Sequence, residues 1–114
     1  MPALTSISLP TPQPSTLRVT ADVEPPDLRV SLEGEIDFAC SDLLQAFMEV
    51  DLAGVTTVIL DLSRLEFTDV AGMRAMMQFR ADQLAAQRSV QLISARPAVR
   101  RVFVLCGEDA LLAA

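Results

Sequence analysis

No histidine and no lysine occur among the 114 residues, and cysteine appears only twice, as Cys40 and Cys106. Without histidine or a Cys-x-x-Cys pair there is no structural zinc set, so neither metal nor cofactor is expected. All nine positive charges are arginine, the net charge is −6, and no basic run exceeds Arg100-Arg101. The electrostatic footprint of a nucleic-acid binder is therefore missing. No stretch approaches the ~20 apolar residues of a membrane span, and the N-terminus has neither a basic n-region nor a continuous apolar h-region. A soluble cytoplasmic protein is the expectation. Carboxylates are plentiful, but with no histidine, Gly-rich phosphate loop or nucleophile pair they define no active site, and an enzyme is not expected. In a reducing cytosol the two cysteines, each on an apolar helical period, read as buried thiols, the alternative being a regulatory disulfide.

What is present is a globular composition: 51% of residues are apolar and 21% charged, enough for one core and one domain. Residues 1–16 carry Pro2, Pro10, Pro12 and Pro14 among Ser, Thr and Gln without charge, which reads as a flexible arm, or alternatively a docking peptide with polyproline character. The domain is expected over 17–114.

Leu17 to Asp22 and Leu28 to Glu33 each alternate apolar with polar residues around Glu24-Pro25-Pro26-Asp27, the pattern of an antiparallel hairpin. Leu17, Val19 and Ala21 share one face, as do Leu28, Val30 and Leu32. The spacing predicts a helix over Phe38 to Val50, with Leu43, Leu44, Phe47 and Met48 inward. Val55 to Leu62 is too apolar for exposure on either face and reads as a central strand, followed by a connector from Ser63 to Thr68. Val70 to Gln87 predicts the longest helix, with Val70, Met73, Met77 and Leu84 as its inward stripe, widened by Met76 and Phe79. Val90 to Ser94 reads as a strand. Pro97 suits the first turn of a helix that carries Val99, Val102, Phe103 and Cys106 on its apolar period and ends at Gly107; a short turn over Asp109 to Leu112 follows. The resulting order, β-β-α-β-α-β-α, calls for an α/β fold: a mixed sheet, antiparallel at its N-terminal hairpin and parallel after it, covered by helices.

One stretch carries chemical information. Asp69-Val70-Ala71-Gly72-Met73 follows the strand and connector and opens a helix, so Asp69 is placed to accept hydrogen bonds from first-turn amides. Together with Leu60-Asp61-Leu62-Ser63, Phe67-Thr68-Asp69 and Gly34-Glu35-Ile36-Asp37, this resembles the STAS domains of bacterial anti-sigma factor antagonists, and the resemblance covers nearly everything from Leu17 onward. It implies the STAS fold. It also implies that position 71, usually the serine phosphorylated by a partner kinase, is the switch position; here it is Ala71.

Phosphoryl transfer needs a nucleophilic oxygen, and neither Val70 nor Ala71 has one. By resemblance, the unphosphorylated surface binds a kinase-type anti-sigma factor with a serine-kinase-like ATPase fold and thereby releases a sigma factor for transcription. Added charge of about −1.5 to −2 disfavours that complex. Three readings of the substitution stay open: a permanently binding-competent antagonist, regulation elsewhere, or drift to another partner. The expected partner surface comprises Asp37, Phe38, Asp69, Val70, Ala71, Gly72, Arg74, Ala75 and Gln78, with Arg74 reaching an acidic group. Thr68 is the nearest hydroxyl and a weak candidate for substitute phosphorylation, ahead of Ser63 and Ser41. Met73, Met76 and Met77 read as core filling or, if exposed, as a forgiving partner surface. Other functions compatible with the fold are a STAS subunit of a membrane transport ATPase complex, a nucleotide-binding sensor and a diverged interaction module.

Overall fold

The computed structural model describes residues 5–8, 17–36 and 52–112. Its strands are β1 (Thr5–Ser8), β2 (Leu17–Glu24), β3 (Asp27–Ile36), β4 (Thr57–Thr68) and β5 (Ser89–Ile93), lying side by side in that order in one sheet. β1, β2 and β3 pair antiparallel, whereas β3, β4 and β5 pair parallel. Two helices, α1 (Val70–Ala85) and α2 (Pro97–Leu105), and a 3₁₀ turn (Asp109–Leu111) complete the described elements. The expected helix over Phe38 to Val50 lies outside the described residues.

The hairpin forms as its alternation requires. Pro25 and Pro26 make the turn, Glu24 pairs with Asp27, and Leu17, Val19, Ala21, Leu28, Val30 and Leu32 are all buried. They join Val58, Leu60, Leu62, Leu65 and Leu92 in one apolar sheet face, onto which α1 sets Met73, Met76 and Phe79 and α2 sets Val99 and Phe103. Burying a side chain the size of Phe79 or Phe103 contributes about 1.5–3 kcal/mol, so these two rings are the main anchors of the helices.

The opposite sheet face is polar. Arg18, Thr20 and Asp22 of β2 lie beside Ser31 and Glu33 of β3 and Asp61 of β4. Ion pairs cross it between Arg18 and Glu33 (3.7 Å), Arg64 and Glu33 (3.3 Å) and Arg29 and Asp61 (2.9 Å). The exposed pairs contribute little. The helices thus cover one face, and Thr57, Ile59 and Asp61 are half-buried in the other rather than fully enclosed.

Three segments differ from the sequence reading. Part of the stretch read as an arm, Thr5–Ser8, pairs with β2 from Thr20 to Val23; four residues free of proline are enough to close an edge ladder. The connector from Ser63 to Thr68 is strand. Two register shifts against β3 place extra residues on β4, so burial changes from every second residue to every third, at Leu62, Leu65 and Thr68. Gly34, at φ 101°, sits at the second shift, where an L side chain would be strained. In α1, finally, the buried stripe is Gly72, Met73, Met76, Phe79 and Gln83, while Val70 and Leu84 are exposed. Gln83 takes the inward place because Arg88 donates to its Oε1 (3.2 Å) and to Val55 O (3.2 Å), which satisfies a buried amide and ties α1 to the base of β4.

Asp61 organises the first irregularity of β4. Its Oδ1 accepts from the Ser63 amide (2.9 Å) and its Oδ2 from Arg29 Nη2 (2.9 Å). Burial alone would raise its pKa, but the Ser63 amide and hydroxyl and the Arg29 guanidinium together hold it below the ordinary carboxylate value. A depressed folded pKa means that the unfolded chain binds the proton first, so this stabilisation is present above about pH 4 and fades as pH falls through the folded value. Asp61→Asn is therefore expected to cost about 1–2 kcal/mol at pH 7. Chemical denaturation of both proteins checks this: the gap closes in acid, and a gap unchanged down to about pH 2 would show that the carboxylate charge is irrelevant.

Candidate docking surface

The turn from β4 into α1 is built from a cap and a close approach. Asp69 adopts an extended backbone (φ −88°, ψ −179°) and its Oδ1 accepts from the Gly72 amide at 2.6 Å, fixing the first turn of the helix. The Asp69 amide donates to Ile36 O (3.3 Å), which docks the helix start against the end of β3. Gly72 faces that strand: a Cβ there would lie 2.5 Å from Thr68 Oγ1 and 2.6 Å from Ile36 O. Gly72 is thus buried and permits the approach without offering surface to a partner.

Thr68 is 0% exposed and donates to Asp69 O at 2.9 Å. Its hydroxyl is committed to the turn and closed to a kinase in the folded chain, which removes the physical basis for substitute phosphorylation there.

Around this frame the sequence-expected residues separate. Val70 and Ala71 occupy the first two helical positions, Val70 45% exposed and Ala71 half-buried beside it. Arg74 and Gln78 are exposed one and two turns on, and Ala75, half-buried, packs against the core. Gln78 Nε2 donates to Asp82 Oδ1 (2.8 Å), so it is already engaged along the helix. Asp37 and Phe38 lie outside the described residues. Phe67, 46% exposed, precedes the buried Thr68 on β4, so its ring faces the open side of the sheet rather than α1. Reading 63–68 as a connector assigned it no face.

The surface offers exposed aliphatic carbon from Val70, the small Ala71, and one guanidinium, Arg74, with no ion-pair partner among the described residues. No group of metal ligands occurs among the described residues. Such an arrangement suits protein docking, since it combines apolar area with a charge that can be matched across an interface.

A family model described as Mlab, STAS domain, matches residues 19–113. The chain belongs to the STAS domain family. No curated protein matches it by sequence. Among solved structures, an anti-sigma factor antagonist from Mycobacterium paratuberculosis superposes with a TM-score of 0.71 at 25% identity, over 87% of this chain and 85% of that one. The unphosphorylated form of the anti-sigma factor antagonist SpoIIAA gives 0.70 at 22% identity, over 83% and 85%. Murine Slc26a9, an anion transporter, gives 0.65 at 16% identity, over 97% of this chain and only 21% of the transporter. The likenesses below 25% identity establish the STAS fold and nothing finer.

One further placement corrects the sequence reading. Cys106 is exposed rather than buried, because α2 ends at Leu105 and the chain turns outward through Gly107. Cys40 lies outside the described residues. Of the methionines, Met73 and Met76 fill the core as expected and Met77 is half-buried at its margin. No helix among the described residues is long and apolar enough to cross a membrane.

Proposed function

We propose that this STAS domain is an anti-sigma factor antagonist that binds a kinase-type anti-sigma factor through the start of α1 and is not switched off by phosphorylation at that site. The observation that carries the proposal is Ala71. It stands at the second position of a helix N-terminus whose cap, close-approach glycine and exposed flank are intact, and it bears no hydroxyl. A helix N-terminus tolerates a phosphate well, so the geometry that would hold a phosphoserine is kept while the acceptor oxygen is gone. The structural likeness to the mycobacterial antagonist supports the choice of partner class.

A second reading is a STAS subunit held by the ATPase of a membrane transport complex; the family match over residues 19–113 is common to both readings. Both readings use the same helix face and differ in the protein held. Immobilised wild-type chain is expected to retain a serine-kinase-like ATPase from native cytosol, identified by mass spectrometry. Retention of a transport ATPase instead would replace the first reading by the second.

A further inference from the structure

Beyond the start of α1, the helical layer carries a second feature. Met73, Arg74, Met77, Cys106 and Glu108 enclose a shallow depression of about 280 Å³ between the first two turns of α1 and the end of α2. Next to it in sequence are Val104 and Leu105, 51% and 78% exposed, on the last turn of α2. Arg74 belongs both to this depression and to the face around Ala71, so the two surfaces are continuous. Within the helices charge is distributed unevenly: α1 and α2 together hold four arginines and one aspartate, in a chain of net charge −6, while Asp69 caps α1 and Glu108 and Asp109 follow α2. Arg74, Arg80, Arg100 and Arg101 make no ion pair among the described residues. Among the described residues these helices offer an acidic partner four arginines free of ion pairs, with Glu108 as the one carboxylate lining the depression.

We infer that the docking surface spans both helices and takes an acidic amphipathic segment of the protein partner. An apolar side chain of that segment enters the Met73 and Met77 depression beside Leu105, and a carboxylate meets Arg74. This rests on the docking reading of the Ala71 face and extends its footprint to α2, with Cys106 at the rim. Large apolar side chains closing a depression at the centre of an interface are the usual carriers of binding energy, whereas exposed rim charges chiefly steer.

The test uses the ATPase retained by the wild-type chain, expressed and purified, with calorimetric titration of wild type, Ala71→Glu and Leu105→Glu. Leu105 is so exposed that its substitution leaves the fold intact, which circular dichroism verifies. Alkylation of Cys106 by maleimide, localised by peptide mapping, is followed with and without the ATPase. Both variants are expected to bind at least about tenfold more weakly, and Cys106 alkylation to slow at least about tenfold in the complex. If Ala71→Glu loses binding while Leu105→Glu binds like wild type and Cys106 stays reactive, the extension to α2 is overturned and the Ala71 reading stands. Loss by Leu105→Glu alone overturns the Ala71 reading and with it the two-helix surface. Full binding by both variants overturns both.

Discussion

Gly72→Val is expected to lower the melting temperature by roughly 10–20 °C, corresponding to a loss of about 2–4 kcal/mol. The Cβ it adds meets two atoms that have nowhere to go. Thr68 Oγ1, 2.5 Å away, is fully buried and bonded to Asp69 O, and Ile36 O, 2.6 Å away, is backbone that accepts the Asp69 amide. Relief requires α1 to withdraw from the end of β3, which strains the Asp69 cap and loosens Met73 and Met76 in the core. Gly72→Ala separates this from propensity. At an exposed helical site the change would stabilise by about 1 kcal/mol, whereas the same contacts make it net destabilising here. A melting temperature raised by Gly72→Ala would show that the helix start does not press on β3.

Ala71→Glu should do the opposite: leave the fold intact and abolish docking. An acidic side chain at the second helical position interacts favourably with the helix N-terminus, by about 0.3–1 kcal/mol, and no acidic residue already occupies the first turn. Its melting temperature is therefore expected within about 5 °C of wild type. At the centre of a docked surface the same carboxylate would be desolvated without a partner, at a cost of about 3 kcal/mol or more, on the order of 100-fold in affinity. Titration of the purified partner reads this directly. Binding within about threefold of wild type would place Ala71 outside the contact.

Features of the fold that rest on local signals are legible in the sequence. The hairpin was legible because Leu17, Val19 and Ala21, and Leu28, Val30 and Leu32, alternate without interruption. So were the starts of α1 and α2, marked by a capping aspartate and by Pro97. The end of α2 was equally plain, since Gly107 adopts φ 73° and its amide and that of Glu108 close onto Val104 O and Phe103 O. At the end of α1 the same closure is made by Gln87, at φ 66°, through its own amide and that of Arg88, and a glutamine gives no warning of a left-handed residue.

Tertiary effects were not legible. The bulges of β4 change the burial period in mid-strand, so Ser63 to Thr68 looked like a connector and Phe67 received no orientation. The middle of the α1 stripe, Met73, Met76 and Phe79, follows the periodicity, but its ends do not, because Val70 and Leu84 are apolar and outside while Gln83 is polar and inside, held there by Arg88. Of the candidate site, Asp69, Val70, Ala71 and Arg74 were placed by their offset from the cap. The close approach that explains Gly72 involves Ile36 of a strand more than thirty residues earlier, which no local pattern announces.

The proposed surface docks its partner and is not released by phosphorylation at position 71. The most direct test is the affinity of the wild-type chain for the proposed ATPase partner, purified, measured after incubation with that ATPase, ATP and Mg²⁺ and compared with an untreated sample. Ala71→Ser is carried in parallel to show that the kinase is active. Unchanged wild-type affinity with no phosphoryl adduct by intact mass, alongside a phosphorylated and weakened Ala71→Ser, is the expected result. Loss of wild-type affinity accompanied by a phosphoryl adduct would contradict it.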